Sequence, residues 1–414
     1  MATRSLRVHA TITIVLLLTK LAVAAELHVA PSGSDADADG SIFHPYRTIT
    51  VAAAAARPGD TVFVHDGVYA MARVSISAQG TAHSPITIRA FPGETPILDG
   101  TGAGPRAAVE AEDKSAITSV IDLRHARNII VEGLTVRGSE GYGISTWESV
   151  DILVRHCHVS RTWSRALGGT GAHLTFEYNH VTDAVLMNEN ERILDERDHG
   201  IMDYWSAAAA TWYREGGILS RDVTFRGNTI ENSWGEGIDA LHVDGAVISG
   251  NTVRNTYSVL VYVDHSRNVT IEGNRLSAPD PRFIRRDTHE RPCGVQIAAE
   301  SYAGTEPIAV ENIVVRENLI TDAVTGVNFW RDPANTSRTN RYSHVTITGN
   351  TLARIDILPV GFSAIHDPEG AATNICRDNI IHESLLTEGS GPISLRLENP
   401  ELWLVENNII VPQP

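Results

Sequence analysis

The sequence predicts an all-β fold, a right-handed parallel β-helix, which is a solenoid of about ten coils. Three observations carry this prediction. A short motif occurs ten times, eight times with asparagine at its centre, neighbouring copies without insertions lie 22 or 23 residues apart, and hydrophobic residues alternate with polar ones around each copy. Alternation is the period of a half-buried strand, and Val and Ile, which favour strands, dominate the inward places. The repeat is shorter than most helical repeats and fits a coil of short strands joined by turns.

The repeated motif places asparagine at one position of each coil. Leu134 and Cys157 hold that position in the first two copies. Asparagine recurring at one place per coil predicts a stacked ladder, in which each amide bonds to the amides above and below it. The copies are VEGLTV (131–136), VRHCHV (154–159), FEYNHV (176–181), FRGNTI (225–230), ISGNTV (248–253), IEGNRL (271–276), VRENLI (315–320), ITGNTL (347–352), CRDNII (376–381) and VENNII (405–410).

Composition and charge narrow the class of partner. The 414 residues are too many for one compact core, but a solenoid lengthens its core coil by coil without thickening it. The 34 Lys and Arg against 50 Asp and Glu give a net charge of -16, which argues against nucleic acid or an anionic membrane surface as partner. The cysteines, Cys157, Cys293 and Cys376, are too few and too scattered for a disulfide framework or a metal site, so we expect buried free thiols.

The first 24 residues have the layout of a secretory signal peptide. Arg4 and Arg7 precede a short apolar run that ends in the small residues Ala22, Val23 and Ala24. No other stretch approaches the length of a membrane span. We therefore expect a soluble, secreted or periplasmic protein, a monomer whose residues 25–414 form one β-helix domain. Within it, residues 25–100 would form the N-terminal cap and first coils, and residues 119–412 the regular coils.

A second strand precedes each asparagine strand and is expected to present alternate side chains outward. Several copies open with Gly, as in GISTWE (143), GIDALHV (237) and GVQIAAE (294), and SVLVYVD is aligned with them from Ser258. The first and third residues after the opening one are mostly apolar and should point inward, so the second, fourth and sixth should face outward. The second position holds Ser145, Met202, Asp239, Leu260, Gln296 and Asn328; the fourth holds Trp147, Tyr204, Leu241, Tyr262, Ala298 and Trp330; the sixth holds Asp264, Glu300 and Asp332.

The outward columns predict a ligand groove. Coils of a parallel sheet lie about 4.8 Å apart, so carboxylates of Asp264, Glu300 and Asp332 in register would raise a pKa or hold a cation such as Ca²⁺. The alternative is a solvated acidic edge, with the aromatic side chains packed under a long loop. Insertions at 206–217, 275–293, 301–309 and 331–342 gather on this face, as loops around a solenoid's binding face do. The predicted substrate-binding residues are Trp147, Tyr204, Tyr262, Gln296, Asn328 and Trp330.

The segment LHVAPSGSDADADGSIFHPYRTITVAAAAARPGDTVFVHDGVY resembles the opening of secreted β-helix polysaccharide lyases and some β-helix glycoside hydrolases, members of the pectate-lyase-like superfamily. The resemblance covers residues 27–100 in detail and implies a short helix, at the Ala-rich run 52–56, that caps the coil. The sequence contains no Asp-Pro-His-Asp run like that of alginate epimerases, the nearest match being DPEG (367–370), and the paired-aspartate signature of polygalacturonases is missing. No family's catalytic residues can therefore be carried over.

Three functions remain open. A lyase acting on a uronic-acid polymer needs a cation, for which Asp264, Glu300 and Asp332 are the predicted ligands, and a base. The candidate bases are Arg331, His265 or His242, because Lys114 is the only lysine beyond the signal peptide and is far from the acidic coils.

A glycoside hydrolase would instead use two carboxylates, with Asp239 and Asp264 or Asp264 and Glu300 as pairs. Glu236 and the Asp198–His199 pair lie where strands begin, where turn capping explains them at least as well. The third possibility is a glycan-binding surface protein without catalysis.

Overall fold

In the computed structural model, residues 24–104, 118–192, 206–300, 308–331, 342–361, 374–384, 395–396 and 402–412 are described. The predicted signal peptide therefore lies almost wholly outside the described residues. Five residues of the sequence analysis also lie outside the described residues, and the predictions that involve them stay predictions: Lys114, Asp198, His199, Tyr204 and Asp332.

The described residues form 32 strands, and every strand pairing is parallel. The first sixteen are β1 (Glu26–Val29), β2 (Thr61–Val64), β3 (Val68–Ala70), β4 (Val74–Ser75), β5 (Ile86–Ala90), β6 (Ile97–Asp99), β7 (Ser119–Arg124), β8 (Arg127–Glu132), β9 (Thr135–Arg137), β10 (Tyr142–Arg155), β11 (His158–Ser160), β12 (Leu167–Glu177), β13 (His180–Ala184), β14 (Ala207–Thr211), β15 (Ser220–Arg226) and β16 (Thr229–Ser233). The others are β17 (Glu236–Leu241), β18 (Val243–Ser249), β19 (Thr252–Thr256), β20 (Val259–Asp264), β21 (Arg267–Glu272), β22 (Arg275–Ser277), β23 (Cys293–Ala299), β24 (Val310–Arg316), β25 (Leu319–Arg331), β26 (Tyr342–Thr348), β27 (Thr351–Gly361), β28 (Asn374–Arg377), β29 (Ile380–His382), β30 (Leu395–Arg396), β31 (Trp403–Glu406) and β32 (Ile409–Val411).

The strands form three parallel β-sheets that surround one core. The groove sheet runs through β4, β7, the start of β10, the start of β12, β14, β17, β20, β23 and the ends of β25 and β27. The middle sheet runs from β1 through β8, β15 and β21 to β31, and the third sheet from β3 through β9, β16 and β22 to β32. The predicted parallel β-helix is confirmed.

Alternation along each strand builds the core. Ile129, Ile152, Leu174 and Val223 pair with one another in successive coils of the middle sheet, and each is at most 1% exposed. Because each coil covers the inward side chains of its neighbours, a chain of this length keeps one continuous core.

The asparagine ladder is present at the corner between the middle and third sheets. The side-chain amide of Asn251 donates to the Asn274 Oδ1 at 2.9 Å and to the Phe225 carbonyl at 2.9 Å. The next rung is the same, with 2.9 Å from the Asn274 amide to the Asn318 Oδ1. Asn251 and Asn274 are 23 positions apart whereas Asn274 and Asn318 are 44 apart, so the long insertion does not disturb the ladder. The prediction of stacked amides is confirmed.

One α-helix, α1 (Ile49–Ala55), packs against β1 and β2 near the start of the solenoid. It begins at Thr48, whose hydroxyl accepts the Val51 N–H at 3.4 Å, and its Ile49 and Ala52 side chains are buried. This is the short helix that the N-terminal resemblance implies. Short 3-10 turns occupy Leu186–Glu191, Glu215–Gly217 and Pro281–Phe283. All three cysteines are free thiols; Cys157 and Cys376 are buried, as expected, whereas Cys293 is only half-buried.

The register of β20 corrects the predicted columns. Ile238 pairs with Val261 and Asp239 with Tyr262, so the alignment anchored on Ser258 is wrong by two residues. A slip of two keeps the outward face, because side chains alternate with a period of two, but it moves each residue to a neighbouring column. Asp264 therefore pairs with Ala298, and the predicted acidic column of Asp264 and Glu300 in register is wrong.

Candidate functional site

Two outward columns cross β17, β20, β23 and β25 on the groove sheet. One contains, in successive coils, Asp239, Tyr262, Gln296 and Asn328, and the other contains Leu241, Asp264, Ala298 and Trp330. Tyr262 thus stands beside Asp239 rather than in an aromatic column with Trp330. The two predicted carboxylates, Asp239 and Asp264, lie on adjacent strands in neighbouring columns.

Glu300 joins this group although it is out of register with Asp264. It follows the end of β23, and its backbone N–H donates to the Asp264 Oδ1 at 3.3 Å. The Tyr262 hydroxyl donates to the Glu300 Oε1. Asp264 is 1% and Tyr262 6% exposed, so these contacts are shielded from water.

Glu236, the first residue of β17, completes what we name the carboxylate cluster: Glu236, Asp239, Asp264 and Glu300, with Tyr262. Burial, and then the charges of Glu300 and Asp264, raise the pKa of Glu236 well above its ordinary value. Burial, and then the charge of Glu236, raise the pKa of Asp239 in the same direction. Carboxyl groups this close and this buried resist ionising together. The cluster therefore retains protons at pH values where isolated carboxyls have lost theirs.

Arg165 brings a positive charge to the carboxylate cluster. It lies just before β12, and its charge lowers the pKa values of Glu236 and Asp239 against the larger effect of burial. Its guanidinium lies over the Trp212 ring, 4.3 Å from the ring centroid, and donates to the Tyr142 hydroxyl at 3.3 Å. The aromatic rings thus hold the cation beside the carboxylates.

The other predicted binding residues lie along the same face. Trp147 packs edge-on against Trp212 with 5.2 Å between centroids, and the Arg124 guanidinium lies 5.1 Å from the Trp147 centroid. Gln296 and Asn328 are half-buried in the column of Asp239. Trp330 is 37% exposed at the end of its strand.

Arg331 is the last residue of β25, paired with Ala299, and its side chain lies outside the described part. Its predicted role as a base stays a prediction.

His265 lies in a packed turn. His242 and His265 have positive φ angles of 51° and 44° where successive coils leave the groove sheet, a conformation that histidine adopts more readily than most residues. Their ring centroids are 4.7 Å apart, and the Ile308 N–H donates to the His265 Nε2 at 3.3 Å. Burial, and then the neighbouring imidazole, lower the pKa of His242 to about 3. These contacts favour a structural role for both rings over the predicted role as base.

The donor set for a cation is incomplete in the described part of the chain. There, no group of three or more His, Cys, Asp or Glu side chains is arranged to hold a metal ion. Of the three predicted ligands, Asp264 and Glu300 already accept hydrogen bonds and Asp332 lies outside the described residues. The expected Ca²⁺ stays a prediction.

Sequence reasoning found part of this site. Asp239, Asp264, Glu300 and Tyr262 were predicted and lie together. Glu236 was noted only as an alternative, because a residue at the start of a strand is usually a turn cap. Arg165 was missed, since its partners Tyr142 and Trp212 come from other coils and no local motif marks them.

Comparison with known proteins identifies the same fold. A family profile described as "Pel9A-like, right handed beta helix region" matches residues 27–274, and a second, described as "Right handed beta helix region", matches residues 204–352. This chain belongs to the Pel9A-like right-handed β-helix family. The resemblance to β-helix polysaccharide lyases drawn from residues 27–100 is confirmed, and so is the right-handed sense of the coil.

Relatives of this Pel9A-like chain include pectate lyase PEL9 of Emericella nidulans, which is 28% identical over 248 residues, 58% of this chain and 56% of that protein. This chain therefore spans little more than half the length of PEL9. The structure of XylC with xylose has a TM-score of 0.55 at 13% identity, covering 93% of this chain and 86% of that one. A rhamnogalacturonan lyase has a TM-score of 0.51 at 14% identity, covering 93% and 87%. At these identities the two structures show a shared fold.

Among the described residues, no helix has the length and apolar character needed to cross a membrane.

Proposed function

We propose that this protein is a carbohydrate-active enzyme that cleaves a uronic-acid polysaccharide by β-elimination at the carboxylate cluster. The observation that carries the proposal is the placement of Arg165 beside two buried carboxyl groups, Glu236 and Asp239, whose pKa values are both raised. The predicted signal peptide supports action outside the cell, as a secreted or periplasmic protein. The proposed active form is the monomer.

Arg165 supplies the contact that a uronate requires. Its guanidinium can bind a carboxylate with two parallel hydrogen bonds, and the Trp212 ring beneath it keeps it in place. Binding the substrate carboxylate next to a cation withdraws charge from it, which makes the neighbouring C5 proton easier to remove.

Glu236 and Asp239 supply the proton transfers. Burial and mutual repulsion raise the pKa values of both groups. The proposed reaction uses the form of the pair in which one carboxyl is protonated and the other is ionised. The ionised group takes the C5 proton, the C5 electron pair forms the C4–C5 double bond, and the C4–O bond breaks. The protonated group gives its proton to the departing glycosidic oxygen, so protons and electrons balance. A carboxyl whose pKa is raised towards the working pH suits either transfer.

Tyr262, Asp264 and Glu300 act as positioning residues in this proposal. Burial, and then the charge of Asp264, raise the pKa of Tyr262, so its hydroxyl stays protonated and keeps its hydrogen bond to Glu300. Asp264 in turn accepts the Glu300 N–H. These bonds hold two negative charges close to Glu236 and maintain its raised pKa.

Family membership and the PEL9 relative support β-elimination over other cleavage chemistry. A specific observation favours a second candidate, hydrolysis of a neutral glycan. The cluster holds four carboxyl groups, two of them with raised pKa values, and a glycoside hydrolase uses two carboxyl groups that flank the scissile bond, one as acid and one as base or nucleophile.

The experiment that separates these reactions compares products on a panel of uronic-acid and neutral polysaccharides. Ultraviolet absorbance detects the unsaturated uronate that β-elimination creates, and a reducing-sugar assay detects both reactions. A reducing-end signal with rising ultraviolet absorbance on a uronate polymer supports the lyase. Reducing ends without absorbance, on a neutral glycan, would establish the hydrolase. Parallel reactions with EDTA and with added Ca²⁺ test the predicted cation.

Matched variants connect the activity to the cluster. Asp239→Asn should abolish most turnover while the polymer still binds, whereas Asp244→Asn, on the middle sheet, should keep turnover. A polymer that binds but is never cleaved by the unaltered protein would instead establish the glycan-binding alternative.

A further inference from the structure

A cleft near the N-terminal end of the solenoid lies outside the carboxylate cluster. It has a volume of about 340 Å³ and lies between the start of α1 and the segment that joins β3 to β4. Its lining includes Arg47, Ile49, Tyr69, Met71 and Arg73. Small-molecule sites in proteins start at about this size and combine apolar walls with a few polar groups.

The charged groups of the cleft are arginines. Arg47 and Arg73 are both exposed, and within the described residues neither guanidinium forms an ion pair. Asp35, the carboxylate near Arg47, already accepts the backbone N–H groups of Arg47 and Thr48 at 2.9 Å and the Thr48 hydroxyl at 3.0 Å. Both guanidinium groups are thus available to an external anion, and arginine matches the geometry of a carboxylate.

Apolar surface accompanies these charges. Met71 is 65% exposed and Val68 49% exposed beside the cleft. Exposed apolar side chains next to arginines suit a ligand with both apolar faces and carboxylates, as a uronic-acid sugar has.

The cleft borders the sheet that carries the carboxylate cluster, because Val74 of β4 lines it and β4 is the first strand of the groove sheet. A continuous paired column on the groove sheet runs through Ser75, Asp122, Ser145, Gly168, Ala210 and Asp239. These five steps between strands, at about 4.8 Å each, place Asp239 about 24 Å from the strand that lines the cleft.

Aromatic rings and arginines occupy the surface between the cleft and the carboxylate cluster. The column's small residues, such as Gly168 and Ala210, leave room for Trp147 and Trp212 to pack over the sheet. Arg124 lies over the first ring at 5.1 Å and Arg165 over the second at 4.3 Å. Arginine side chains therefore recur along the sheet from the carboxylate cluster towards the cleft, although Arg124 is paired with Asp122 at 3.5 Å.

We propose that the cleft is a distal subsite that binds uronate residues of an acidic polysaccharide whose chain extends along the groove sheet to the carboxylate cluster. The inference rests on the proposed function, because it requires a uronate polymer as substrate. The cleft would make the protein bind long polysaccharide chains more tightly than short ones. A long chain reaches the cleft and the carboxylate cluster together, whereas a short chain reaches only one of them.

The test measures binding of polygalacturonate and of an oligogalacturonate trimer by isothermal titration calorimetry. All proteins carry Asp239→Asn so that cleavage is too slow to disturb the titration. Adding Arg47→Ala and Arg73→Ala together should weaken polygalacturonate binding about tenfold, which is about 1.4 kcal/mol, and leave trimer binding unchanged. The matched control replaces Arg254 and Arg275, two exposed arginines of the third sheet, and should change neither affinity.

Each other outcome overturns the inference in a distinguishable way. If the cleft variant binds polygalacturonate as tightly as its parent, the cleft is not a subsite although the proposed function stands. If the control pair weakens binding as much as the cleft pair, net charge rather than the cleft is responsible. If no protein in the series binds any uronate polymer, the proposed function itself fails.

Discussion

Asn251 is the residue whose removal tests the asparagine ladder most directly. Its Oδ1 accepts the Asn228 backbone N–H at 2.9 Å and the Asn228 side-chain amide at 3.0 Å. Its own amide donates to the Phe225 carbonyl and to the Asn274 Oδ1, both at 2.9 Å. Asn251→Ala therefore removes four hydrogen bonds from a position with 0% exposure, where water does not replace them.

The cost follows from what the substitution leaves behind. The Asn228 backbone N–H loses its partner while buried, which costs about 1–3 kcal/mol, and the two lost donor bonds of Asn251 add about 1 kcal/mol each. The free energy of unfolding should therefore fall by roughly 3 to 5 kcal/mol. Asn408→Ala is the matched control, because Asn408 accepts the same two bonds from Asn379 but is partly exposed at the last rung. Water can replace its bonds, and the loss there should be about 1 kcal/mol.

Urea unfolding followed by circular dichroism measures both variants. The midpoint should move to clearly lower urea for Asn251→Ala than for Asn408→Ala, at similar slopes. Equal shifts would refute the reasoning, because they would mean that burial of the ladder does not decide its contribution to stability.

Four further predictions concern the site and its titratable groups. Glu236→Gln and Asp239→Asn should each lower kcat by about 100- to 10,000-fold, whereas Glu231→Gln on the third sheet should leave kcat within about twofold; an equal loss in that control would contradict the assignment. Because the pKa values of Glu236 and Asp239 are raised in the folded protein, it holds more protons than the unfolded chain above pH 4.5, and its stability falls as pH rises. The two amide variants should make this fall in stability smaller when urea unfolding is measured at a series of pH values. The pKa of His242 is lowered from 6.5 to about 3, so its contribution to stability is lost as pH falls through that range, and His242→Gln should reduce the loss in the same assay; an unchanged pH profile would contradict it. Arg165→Ala should raise KM on a uronate polymer about tenfold with only partial recovery in Arg165→Lys, and an unchanged KM would remove Arg165 from the substrate contact.

The fold could be predicted from the sequence because the same strand-and-turn motif recurs many times along the chain. Each copy is short, but all copies occupy the same turn of the coil, so the repeat remains recognisable even where single positions of a copy differ. The strand from Ser258 shows the limit of this approach. Ser258 occupies the place of the glycine that opens neighbouring copies in that alignment, yet the pairing of Ile238 with Val261 shows that the true register differs from it by two residues. Alternation preserves the face in such a slip but cannot fix the column.

The candidate site was predicted less completely, for a physical reason. Asp239, Asp264 and Tyr262 could be found because strands place them on one face by alternation. Glu300 reaches them through its backbone N–H beyond the strand end, which no periodic pattern encodes. Arg165 depends on Trp212, 47 positions away in the chain, and that contact exists only once the coils have stacked.

The ladder bond from Asn274 to Asn318 spans 44 positions and has the same 2.9 Å length as the bond from Asn251 to Asn274, which spans 23. The size of an inserted loop is thus uncoupled from the frame of the solenoid. During evolution, loops on this scaffold can be lengthened, shortened or exchanged between relatives without shifting any downstream coil. Substrate preference in such a protein can therefore diversify quickly while its core sequence changes slowly. Loop exchange between family members is accordingly the natural route to engineering new specificities.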